Sequence, residues 1–154
     1  MLDIEAEWSR PMPLVNGSKS NMIYDLPDKS KLPPVPGAYL FARIHGAKIV
    51  PIYIGETENL STRLDQHLND VSMMMGLKNA PTGARVFMYC KVTTKKGQQL
   101  SKVLNVLQKA LIEHALSEGH ELLNTQLTKT RVNEITFKGN RDSEKVFPCK
   151  MYIK

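Results

Sequence analysis

Two glycine–tyrosine triplets, Gly37-Ala38-Tyr39 and Tyr53-Ile54-Gly55, constrain the fold of this chain more than any other feature. Each sits on a run rich in β-branched and aromatic residues: Ala-Tyr-Leu-Phe-Ala-Arg-Ile at 38–44 and Ile-Val-Pro-Ile-Tyr-Ile at 49–54. The polar segment His45-Gly46-Ala47-Lys48 between them reads as a turn, so the pair predicts a β-hairpin. Pro51 has no N–H to give to a ladder, which places it at an edge or a bulge. Gly55 ends the second run, where the backbone must turn toward a helix.

That helix is predicted over about residues 58–71, with Thr57 or Asn59 as its cap. Leu60, Leu64, Leu68 and Val71 form an apolar stripe at helical spacing. Arg63 and His67 lie one turn apart on the same side, at the edge of the stripe. A side chain there can point into a cleft while the helix stays anchored. Met73-Met74-Met75 reads as adaptable packing or a loop. Residues 84–92 predict a third strand, in which Val86, Met88, Cys90 and Val92 alternate with Arg85, Phe87, Tyr89 and Lys91. After the basic turn Lys95-Lys96-Gly97, a long helix runs from about Gln98 to Ser117 on a stripe of Leu100, Val103, Leu104, Leu107 and Leu111. Gly119 suits its end. The same phase puts His114 close to the stripe, as a core histidine. Glu113 falls away from it, beside Lys102, Val106 and Lys109. A functional role for Glu113 therefore requires the outer side of this helix to wall a cleft.

Residues 1–36 are rich in proline (Pro11, Pro13, Pro27, Pro33, Pro34, Pro36) and read as an arm that wraps the domain or stays mobile. Trp8, Met22, Ile23 and Tyr24 are available to pin it. The predicted organisation is an arm at 1–35, a domain at 36–126 and an extension at 127–154. In the extension, Lys129, Arg131, Lys138 and Arg141 mix with Val132, Ile135 and Phe137 and suggest a short strand. The net charge of +6 favours a polyanionic partner through steering and counterion release. Cys90 and Cys149 are too few for a disulfide scaffold or a zinc site, and Cys90 reads as a small buried hydrophobe. The opening Met-Leu-Asp-Ile-Glu-Ala-Glu lacks the regions of a signal peptide, and no apolar run approaches the ~20 residues of a membrane span. A reducing, cytoplasmic setting without membrane attachment is the expectation.

The order is Gly-Ala-Tyr, a turn, Tyr-Ile-Gly, then a helix with Arg63 and His67. A third strand follows, then a long helix with Glu113, and Asn124 eleven residues on. This order resembles the GIY-YIG nuclease family over about residues 36–126. The resemblance implies an α/β (α+β) fold with a small three-stranded antiparallel sheet flanked by helices. It also implies hydrolysis of nucleic-acid phosphodiesters with one divalent cation, Mg²⁺ or Mn²⁺. Tyr39 and Tyr53 match the motif tyrosines and Arg63 the helix arginine. Glu113 matches the metal-binding glutamate, and Asn124 the asparagine that closes the module. His67 matches a histidine found one turn after the arginine in some members. Ala38 stands where isoleucine is usual, the connection between the tyrosines is slightly long, and a proline often found before the asparagine is missing.

These residue types suit the chemistry. Tyr39 is expected as the base that deprotonates water, with Tyr53 positioning water or phosphate. Arg63 can clamp phosphate oxygens with its planar, permanent charge. Glu113 offers a hard oxygen to the cation. His67 can share the proton or bind phosphate, and Asn124 holds the site in shape. Arg43, Lys48, Arg63, Lys95 and Lys96 are the expected contacts to DNA, single-stranded DNA included. The chain carries no recognisable separate recognition domain, and a restriction-type enzyme would work as a homodimer. Two other readings stand beside the nuclease. One is a non-catalytic nucleic-acid-binding module on the same scaffold, and the other is a toxin or effector nuclease held by an immunity partner.

Overall fold

The structure is a computed structural model that describes residues 2–124, 133–146 and 150–153. It divides into two compact units, Met1–Leu123 and Asn124–Lys154. The first unit contains β1 (Glu5–Trp8), β2 (Met12–Pro13), β3 (Val15–Asn16), β4 (Tyr24–Asp25), β5 (Gly37–His45) and β6 (Lys48–Thr57). These are followed by α1 (Leu60–Leu68), α2 (Val71–Asn79), β7 (Ala84–Thr93) and α3 (Leu100–Ser117).

The predicted hairpin is β5–β6, paired antiparallel from Gly37↔Thr57 to His45↔Lys48. Its register shifts between Phe41 and Ala42: Phe41 faces Tyr53 and Ala42 faces Pro51, which leaves Ile52 as the extra residue of a bulge. Pro51 therefore sits at a bulge and also on an edge, because β6 ends the sheet. β7 pairs antiparallel along the other side of β5. Gly37 lies so close to β7 that an added Cβ would meet the carbonyl of Cys90. Glycine there lets the two strands approach.

The three expected strands, β7, β5 and β6, belong to a larger sheet. The strand order is β1-β7-β5-β6, and β2 also pairs with β7. The physical reason lies in β7, whose outer edge would otherwise leave a row of N–H and C=O groups unpaired. Glu5–Trp8 pairs with Cys90–Thr93, and Met12–Pro13 with Val86 and Phe87. Proline-rich composition hid these short strands. The arm is pinned by Leu14, Leu26 and Leu32, all buried. Met22, Ile23 and Tyr24 pack partly buried against the core, whereas Trp8 is 47% exposed.

Helices cover both faces of the sheet. One face carries Tyr39, Phe41 and Phe87 under Leu60, Leu64 and Leu68 of α1 and Met73, Met74 and Leu77 of α2. On the other face, Ile54 and Leu40 pack with Leu111 and Ala115 of α3, and Val92 packs with Val103 and Leu104. The helix expected at 58–71 is α1, which stops at Leu68, and a second helix, α2, begins at Val71. Asn59 caps the first by accepting from Thr62 N, and Asp70 caps the second by accepting from Met73 N. Val71 belongs to α2 and is 68% exposed, so it leaves the leucine stripe. The methionine triplet is helical, with Met73 and Met74 buried. His114 is exposed, contrary to the expected core position, because Ala115 takes the inward place on α3.

The second unit pairs β8 (Asn133–Thr136) with β9 (Lys150–Ile153) and carries α4 (Arg141–Glu144), capped by Asn140. The expected strand of the extension is β8. Lys129, Arg131, Val132, Cys149 and the predicted domain boundary at 126/127 lie outside the described residues. No helix among the described residues is long and apolar enough to cross a membrane.

Candidate active site

The hairpin brings Tyr39 and Tyr53 to the sheet face that α1 covers. Tyr39 stands opposite Gly55 in the ladder, and a Cβ on Gly55 would overlap the phenol ring and hydroxyl of Tyr39. The glycine of the second triplet is therefore the seat of the tyrosine of the first. Tyr39 also stacks on Phe87, with ring centres 5.8 Å apart, and meets Phe41 edge-on.

α1 lays His67 over this surface. Tyr39 Oη is 2.6 Å from His67 Nε2. The ring of His67 is 5.4 Å from both tyrosine rings and lies edge-on to Phe41 at 5.7 Å. Three predicted site residues thus form one cluster. Arg63, one turn before His67, is exposed and lines a cleft of about 450 Å³ at the end of β6. Its charge reaches Tyr39, Tyr53 and His67.

Burial dominates the electrostatics. It pushes the Tyr39 hydroxyl far above the usual phenol range, aided by Tyr53 and opposed by Arg63. Tyr53, only half-buried, is raised for the same reason. His67 is lowered to about 4 by burial and by Arg63, with Asp70 opposing. At neutral pH the cluster is therefore a neutral imidazole against neutral phenols. With the Nδ1–H tautomer, Tyr39 donates to Nε2. Tyr39 is 2% exposed, so Tyr53, His67 and Arg63 form the accessible side of the group.

Glu113 stands elsewhere. Glu113 is 67% exposed at its side chain and pairs with Lys109, one turn earlier on the same helix, at 4.0 Å. Leu111 and Ala115 hold the inward face of α3 against the sheet, and Gln108 donates from Nε2 to the Ile54 carbonyl at 3.4 Å. Glu113 therefore does not fit a cation at the tyrosine cluster. Among the described residues, no group of three or more His, Cys, Asp or Glu can hold a metal ion. Asn124 belongs to the second unit. Arg43 donates to the Thr82 carbonyl at 3.1 Å, and Lys48 lies exposed at the hairpin turn. Lys95 pairs with Asp3 and Glu5, next to exposed Lys96. The register puts Lys95 and Lys96 near the β6 end that carries Arg63. Arg43 and Lys48 lie toward the opposite end, roughly 20 Å or more along the strands.

The sequence reading passed over two residues. Glu56, directly after Gly55, lines the cleft with Arg63, and its position beside the second triplet was the available signal. Arg85 was read only as one of the alternating residues of the third strand. It is 7% exposed and donates to the carbonyls of Leu77, Ala80, Pro81 and Gly83, locking the chain between α2 and β7. Nothing local in the sequence announces that role. Comparison with protein-family models, with curated proteins and with solved structures finds no match to this chain.

Proposed function

We propose that this chain is a small GIY-YIG-type endonuclease that hydrolyses phosphodiester bonds of DNA. The observation that carries the reading is the Tyr39–His67 pair, at 2.6 Å, with Tyr53 beside it and Arg63 one turn away. Arg63 grips a non-bridging phosphate oxygen. Tyr53, on the accessible side, positions the attacking water. The water proton leaves by way of Tyr39 to His67 Nε2, which burial and Arg63 keep unprotonated at neutral pH. As the water oxygen bonds to phosphorus, the P–O bond to the leaving sugar oxygen breaks and that oxygen takes a proton from solvent. A divalent cation, Mg²⁺ or Mn²⁺, supplies charge neutralisation at the phosphate when bound. The net charge of +6 and the position of Lys96 near the same sheet end support a polyanionic substrate.

The test is incubation with single- and double-stranded DNA, with and without Mg²⁺ or Mn²⁺, and mapping of the ends. Cleavage that needs the cation and is lost in a folded Arg63→Ala variant is the expected result. Failure to cut any of these substrates with either cation would sink the reading.

One observation favours a second reading. Glu113, the carboxylate that the resemblance assigns to the cation, faces solvent and pairs with Lys109. A non-catalytic nucleic-acid-binding module on this scaffold needs no such carboxylate. It would bind DNA in EDTA and leave it uncut when Mg²⁺ is restored.

A further inference from the structure

Two carboxylates share the cleft with Arg63, Glu56 and Glu58. Glu56 follows Gly55 on β6, opposite Ala38 of the first triplet, and is half-buried. The cleft is closed on the α1 side by Asn59, Thr62 and Arg63 and on the α3 side by Ser101 and Asn105. Among the described residues, the side chains of Glu56 and Arg63 make no ion pair or hydrogen bond with another residue. A carboxylate and a guanidinium thus share one polar cleft without neutralising each other, which leaves both available to a ligand that carries charge of both signs. Glu58 lies exposed on the loop after β6, less fixed than a strand residue.

Mg²⁺ and Mn²⁺ take one or two carboxylates and fill their remaining positions with waters and phosphate oxygens. We propose that Glu56 holds the divalent cation of this centre, with the Asn105 amide across the cleft, and that Glu113 takes no part. The phosphate would then lie between the cation at Glu56 and the guanidinium of Arg63. This inference rests on the nuclease reading for the purpose of the cation, but cation binding itself requires no nucleic acid.

The test is titration of the ¹⁵N-labelled full chain with MnCl₂ alone, reading paramagnetic broadening of backbone amides. Broadening is expected to centre on residues 55–59 and 101–105, to vanish in Glu56→Gln and to persist in Glu113→Gln. Broadening centred on 109–117, persistence in a folded Glu56→Gln variant, or no localised broadening of the wild-type chain would overturn it. The wild-type map needs no variant, so a poorly folding substitution cannot shield the proposal. DNA cleavage, measured separately, distinguishes the two ideas. Cleavage with broadening around Glu113 overturns the Glu56 assignment and leaves the nuclease. Broadening at Glu56 without cleavage supports the assignment and overturns the nuclease.

Discussion

Gly55 faces the Tyr39 ring so closely that a methyl group has no room there. Gly55→Ala should therefore push the phenol off His67, cost about 1–3 kcal/mol through overpacking, and abolish cleavage. Thermal melting and the cleavage assay check the two effects separately. Tyr39→Phe removes only the hydroxyl and leaves the Phe87 stack, so it should fold normally and lower kcat by about 10²-fold or more. His67 carries a pH signature with a definite sign. Its folded value, about 4, lies below the ordinary 6.5, so between these values the unfolded chain binds a proton that the folded chain does not. The stabilisation from this group is complete above 6.5 and is lost as pH falls toward about 4. Denaturant unfolding across that window should show stability falling with pH, and a shallower fall in His67→Gln. In the same way, the acid limb of kcat/KM should appear near 4 and not near 6.5.

At the scale of elements, α1 is divided between packing and function. Leu60, Leu64 and Leu68 are buried, whereas Arg63 is exposed on the same nine residues. Arg63→Ala should change stability by no more than about 0.5 kcal/mol while removing phosphate grip, a separation that melting and DNA binding read together. Arg85 presents the opposite case. Its guanidinium is buried and, among the described residues, donates to the end of α2 and the connection to β7. Arg85→Met should destabilise by more than about 2 kcal/mol, because several buried carbonyls lose their charged donor at once. Denaturant unfolding measures it. The two arginines show why sequence spacing alone misleads. Arg63 was legible because helical period places it beside a leucine stripe. Arg85 was read only as one of the alternating residues of the third strand, and α2 folding over that face makes it internal.

At the scale of the whole molecule, the arm is part of the sheet. β1 and β2 pair with β7, and Leu14, Leu26 and Leu32 enter the main core. Deleting residues 1–36 should therefore leave no cooperative transition in a thermal melt, since each buried leucine lost costs about 2–5 kcal/mol against a total stability of about 5–15 kcal/mol. The sequence by itself determined the hairpin, the third strand, the long helix and the placement of Arg63 and His67, because each is a local matter of period two, period 3.6 or a turn. It also marked Tyr39 and Tyr53, whose shared face follows from strand alternation and register. Tertiary structure alone decided the rest. It set which strands complete the sheet, because the unpaired edge of β7 is satisfied by residues distant in sequence. It also set which carboxylate reaches the cleft beside Arg63, because the packing of α3 on the sheet turns Glu113 to solvent while the end of β6 brings Glu56 in.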